Sequence, residues 1–133
     1  MNKRNLFFIK LPYWIGIMAD GVWTVALFFP RIYSILTFKP DFNPDPETKL
    51  IMGIGGSLMA GWTALLIWAV HNPIERRGVA FLTIFPVIFG LMTITVIGIV
   101  NGHTSNIWIL IKLIIISILL VNSYILAVKL SKG

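Results

Sequence analysis

Four stretches of this sequence are too long and too apolar for any water-facing element: residues 11–29, 50–70, 78–100 and 107–128. A helix that crosses about 30 Å of hydrocarbon needs roughly 20 residues, at a rise of about 1.5 Å each. Each stretch approaches or exceeds that length. Membrane-spanning strands are excluded, because they alternate apolar and polar residues over about ten positions. No such alternation runs through residues 107–121. The predicted fold class is all-α: an integral membrane four-helix bundle, one four-span domain over residues 1–133. Composition agrees. The chain is 57% hydrophobic and only 12% charged, about half the charged share of a soluble domain. It has no cysteine, which excludes disulfides, thiol catalysis and cysteine-ligated metals.

Punctuation at the span ends sharpens this reading. Pro12 stands near the start of the first run, where a missing N–H is tolerated. Asp45-Pro46-Glu47 reads as an N-cap, a first helical residue and a first-turn acid, so the second helix begins before its apolar part. Asn72-Pro73-Ile74-Glu75 repeats the pattern, with Glu75 placed to close a capping box on Asn72 across a tight turn at His71-Asn72. Asn101-Gly102 stops the third helix, and Thr104 or Ser105 caps the fourth. Residues 30–49 form the one long connection. It contains a stretch, 31–38, suited to a short interfacial helix, followed by Pro40, Pro44 and Pro46. No small-x-small cleavage site precedes Asp20, so the first run is expected to be retained as a span.

Basic residues set the orientation. An even number of spans puts both termini on one side, together with Lys3, Arg4, Lys10, Arg76, Arg77, Lys129 and Lys132. The other side holds Arg31, Lys39 and Lys49, balanced by Asp41, Asp45 and Glu47. This bias predicts a multi-pass protein of the cell membrane with cytoplasmic N- and C-termini. The formal charge of +6 is therefore a topology signal and implies no nucleic-acid partner. Membrane lipids are the expected partners, together with further copies of the chain or a larger membrane complex.

Helix packing should run through small residues, because backbones that approach closely supply the contact that hydrophobicity cannot supply in lipid. Gly53, Ser57 and Gly61 recur every four residues, and Gly56, Ala60 and Ala64 form a neighbouring row. Gly90 and Gly98 answer them on the third helix, where Thr93 and Thr95 can bond locally or across. Internal packing and a dimer face are both compatible with these rows. Pro86 lies inside the third helix and should kink it, freeing the carbonyl of Leu82. Trp14, Trp68 and Trp108 fall near span ends, as an interfacial belt would require. Trp23 and Trp62 lie deeper, either lining a ligand pocket or simply packed.

Asp20 is the residue that carries most chemistry. It lies near the middle of the first span, roughly 15 Å from each interface at helical rise. An ionised carboxylate there costs several kcal/mol unless paired, hydrated or protonated. Gly16 and Thr24 lie one turn to either side on the same stripe. Lys112, the basic residue deepest within a span, is placed by the same rise about 7 Å nearer the outer surface than Asp20. A structural ion pair, a lysine that snorkels outward above a protonated Asp20, and a proton or ligand site all fit. Asn122, with Ser117, Ser123 and Tyr124, adds polar groups to the fourth helix that suit interhelical hydrogen bonds or a ligand. No metal is expected. His71 and His103 fall on opposite membrane faces, so they cannot share an ion. Asp41-x-Asn43-x-Asp45 opens like a calcium loop, but Pro46 and Met52 stand where glycine and glutamate are needed. No cofactor is implied beyond a bound lipid or quinone.

The order of elements, with a long first outer loop and a short inner turn containing Arg76-Arg77, resembles the DoxX-like four-helix membrane proteins over most of the chain in outline. The placement of Asp20 is similar to the essential carboxylate in the first helix of small multidrug transporters, although loop 30–49 departs from their compact pattern. The first resemblance implies a four-span membrane fold without a defined activity, and the second implies proton coupling at Asp20. No nucleophile–base pair, phosphate-binding loop or dinucleotide fingerprint is present. The expected role is thus a non-enzymatic accessory, scaffold or small-ligand-binding bundle. A proton-coupled carrier using Asp20 is the alternative, and an enzyme acting on a lipid or quinone is a weaker one.

Overall fold

The computed structural model describes residues 3–102 and 107–132. Its elements are α1 (Lys3–Phe28), α2 (Pro30–Thr37), α3 (Pro46–His71), α4 (Gly78–Leu82), a π-helical turn (Thr83–Ile88), α5 (Phe89–Val100) and α6 (Ile107–Lys132). No strand occurs among the described residues. Four helical stretches are long and apolar enough to cross a membrane: Lys3–Phe28, Pro46–His71, Gly78–Val100 and Ile107–Lys132. Large apolar side chains point outward along them, among them Ile54 and Leu58 on α3, Phe85 and Phe89 around the π turn, and Ile115 and Ile118 on α6. In water such a surface would aggregate, whereas in lipid it is the expected exterior. The chain is a helical, multi-pass membrane protein.

Helix starts and stops follow local chemistry in three places. Asp45 Oδ1 accepts the backbone N–H of Thr48 at 2.7 Å, Pro46 opens α3 and Glu47 lies in its first turn. Gly102 ends α5 at φ +70°, and its N–H donates to the Ile99 carbonyl at 3.1 Å. The interfacial helix is present as α2. It closes with Lys39 N–H donating to the Ser34 carbonyl at 3.0 Å around Phe38, whose backbone is left-handed at φ 55°. That is a Schellman ending with a phenylalanine where glycine is usual.

Four expectations about helix ends and interruptions are refined, revised or lie outside the described residues. Helix α1 begins at Lys3, so Pro12 lies inside it, buried, and not at its first position. A tertiary contact falls within the extension: Ile9 is buried, and its carbonyl accepts the Ser123 hydroxyl at 2.9 Å. The capping box at 72–75 does not open a helix. Asn72 uses its side-chain amide to donate to the Glu75 carboxylate, the Arg76 N–H reaches the Asn72 carbonyl at 3.1 Å, and the helix starts only at Gly78. Pro86 widens its helix into the π turn, where the Phe89 N–H bonds to the Ile84 carbonyl; a π turn accommodates a missing donor within the helix. His103 and the caps expected at Thr104 and Ser105 lie outside the described residues.

The described residues fall into two compact units. One joins residues 3–15 to 69–102 and 107–132, and the other is Gly16–Trp68. In the first, Ile9, Tyr13, Val79, Ala80, Leu120 and Ala127 are buried, and Phe81 packs beside Tyr124 with ring centroids 6.1 Å apart. In the second, the later half of α1 runs antiparallel to α3. A Cβ on Gly16 would lie 3.2 Å from Leu66, and one on Gly56 would lie 3.2 Å from the Phe28 ring and 3.3 Å from Leu27. Of the Gly56–Ala60–Ala64 row, Gly56 is the member that packs tightly within this unit; Ala60 is half-buried and Ala64 exposed. The Gly53–Ser57–Gly61 row is left open there: a Cβ on Gly53 or Gly61 would meet nothing within 4 Å, and Ser57 and Gly61 are exposed. The choice between rows was made by Leu27 and Phe28 on the neighbouring helix.

Candidate intramembrane site

Asp20 is half-buried in α1. Gly16 against Leu66 at one end and Leu27 against Gly55 and Gly56 at the other fix the register of α1 on α3. That register sets Trp62 level with Asp20, with Thr24 one turn further along α1. Thr24 Oγ1 and Trp62 Nε1 are both buried and both lack a hydrogen-bond partner. Such groups are rare, since leaving a buried donor unpaired costs about 1–3 kcal/mol.

The Thr24 hydroxyl is unusual in this very chain. Thr63, Thr83, Thr93 and Thr95 each donate to the carbonyl four residues earlier, at 2.7–2.9 Å, the ordinary refuge of a threonine in a spanning helix. Thr24 does not take it. Asp20, Thr24 and Trp62 together offer a carboxyl group, a free hydroxyl and a free indole N–H within an apolar surround. The carboxyl can accept when ionised and also donate when protonated, and the other two can donate.

The other predicted residues take different places. Lys112 is exposed on α6 and belongs to the first unit, as does Asn122, which is exposed further along the same helix. Ser123 is buried and used structurally, in the bond to Ile9. Thr93 and Thr95 bond locally and not across helices. Gly90 has open space around it, and Gly98 is half-buried in α5. Trp23 separates from Trp62: it meets Tyr33 edge-on at 6.1 Å, and Tyr33 meets Phe42 at 4.7 Å. This aromatic cluster ties α2 and the loop after it to the end of α1. Asp45 is a cap, not a calcium ligand, and the Thr48 hydroxyl and N–H hold its carboxyl below the usual aspartate value. Among the described residues, no three His, Cys, Asp or Glu side chains come close enough to hold a metal ion. No protein-family model, curated protein or solved structure matches this chain.

Proposed function

We propose that this protein, set in the cell membrane with both termini in the cytoplasm, is a non-enzymatic accessory bundle that binds a small apolar ligand with a polar head, a quinone or a lipid, at Asp20, Thr24 and Trp62. The outline it shares with DoxX-like membrane proteins belongs to the same reading. One observation carries it: two buried donors, Thr24 Oγ1 and Trp62 Nε1, have no partner on the helix pair that bears a mid-span carboxyl group. Extraction of the purified protein with organic solvent, followed by mass spectrometry, tests the proposal. Wild-type protein should release such a compound near one per chain, and Thr24→Val and Trp62→Phe should release much less. Equal release from all three would refute the site.

A second reading is favoured by the same carboxyl group. If Asp20 takes up and releases protons during turnover, the protein is a small proton-coupled carrier. Asparagine keeps the shape of aspartate and cannot titrate, so Asp20→Asn should fold normally and abolish substrate-driven proton movement in proteoliposomes. Protein that moves no protons with any substrate, yet copurifies with a partner complex, supports the accessory role instead.

A further inference from the structure

At the end of α1 the second unit has an open cavity of about 630 Å³ whose lining includes Leu27, Phe28, Arg31, Pro44, Lys49 and Gly53. Residues 30–49 carry three bases and three acids, yet the cavity sorts them. Arg31 and Lys49 line it, whereas Asp41, Asp45 and Glu47 do not. Asp45 is occupied with the N–H of Thr48. Neither lining base forms an ion pair among the described residues, so a loop that is neutral overall presents a local positive charge. Leu27, Phe28, Pro30 and Phe42 give the lining an apolar part, beside the neutral polar Ser34 and Asn43. Gly53 opens it further, because no atom stands within 4 Å of where its Cβ would be. The open row of Ser57 and Gly61 continues from Gly53 down the same face of α3.

We propose that this cavity binds an anionic phospholipid of the leaflet on the side of residues 30–49, with its phosphate between Arg31 and Lys49 and one acyl chain along Gly53, Ser57 and Gly61. The site lies where α1 ends and α2 begins, which is headgroup depth for a helix that spans the bilayer, and Tyr33, which meets the cavity-lining Phe42 at 4.7 Å, is of a type enriched at that depth. Arg31 offers a planar fork to phosphate oxygens and Lys49 a mobile point charge. Zwitterionic lipids carry the same phosphate but add a cation, and no carboxylate lines the cavity to receive it. This site is separate from Asp20 and rests on the membrane reading alone.

Native mass spectrometry of the full chain in detergent, with equimolar phosphatidylglycerol and phosphatidylcholine of identical acyl chains, tests the proposal. Phosphatidylglycerol should bind roughly thirtyfold more tightly, as expected for two basic contacts near the membrane surface. Arg31→Gln with Lys49→Gln should bring the two lipids to parity, and Gly53→Leu should weaken both. The charge-matched pair Lys129→Gln with Lys132→Gln should keep the preference, and soluble glycerol phosphate should not displace the lipid. Parity in the wild type, an equal loss in the Lys129/Lys132 control, or displacement by glycerol phosphate would each overturn the site. Alkaline extraction of membranes separates the two levels of failure. Release of wild-type protein would overturn the membrane reading, and the lipid site with it.

Discussion

The two compact units treat their polar groups differently. In the unit built from both ends of the chain, buried hydroxyls are satisfied: Ser123 bonds to the Ile9 carbonyl and Thr83 to that of Val79. In the unit of residues 16–68, Thr24 and Trp62 keep buried donors unpaired, and Arg31 and Lys49 line an open cavity. Since an unmade buried hydrogen bond costs more than a made one contributes, the first pattern suits a scaffold and the second suits binding. Function should be lost by changes in residues 16–68 and stability by changes in the other unit, with Gly56 the main exception.

Gly56 should show the largest effect. Leucine there would drive into Phe28 and Leu27, which already lie within 3.4 Å of a bare Cβ, and overpacking of this kind costs about 1–3 kcal/mol or more. Gly61→Leu, on the open row, should change stability by less than about 0.5 kcal/mol. Thermal unfolding in detergent compares them, and equal losses would mean that both rows pack. Ser123→Ala should cost about 0.5–1.5 kcal/mol, since it removes a buried tertiary hydrogen bond to the Ile9 carbonyl. A neutral result would mean that this bond does not anchor α1.

Smaller effects test the loop of the binding unit. Phe38 holds a left-handed backbone at φ 55° and is 91% exposed, so it bears the steric penalty with little packing in return. Phe38→Gly should therefore stabilise the protein by about 1 kcal/mol. A loss would show that the ring is held by lipid. Asp45 should contribute a pH dependence. Its folded value lies below the ordinary aspartate value, so the cap's contribution is complete above the unfolded value near about 4 and is lost as pH falls through the folded one. Asp45→Asn should flatten the acid limb of the unfolding curve, and an unchanged limb would assign that limb to other carboxylates.

What could be read in advance was local. Asp45-Pro46-Glu47 and Asn101-Gly102 act within one helical turn, so their residue types alone disclose the start of α3 and the stop of α5. Pro12 lies inside a longer helix, whose early part is bonded at Ile9 by Ser123, far away in sequence. Likewise the residues on α3 disclose two small-residue rows, but Leu27 and Phe28 decide which one packs. Asp20 stood out as a charge in an apolar run. Its alignment with Trp62 depends on the register of α1 against α3, which no single segment encodes. The sorting of Arg31 and Lys49 from their acidic neighbours depends on the path of the loop, which brings Pro40 and Pro44 to the same cavity. No spacing rule reports it.

The sharpest measurement is the stability of Thr24→Val, read beside Ser123→Ala, in protein stripped of bound lipid and again with its copurified ligand restored. Valine keeps the shape of threonine and removes only the hydroxyl. If that hydroxyl is reserved for a ligand, the stripped variant should match or exceed the wild type, by up to about 1–2 kcal/mol, and should gain nothing when the ligand is returned. If Thr24→Val instead loses as much as Ser123→Ala in stripped protein, its hydroxyl has a structural partner, and the distinction between the two units fails.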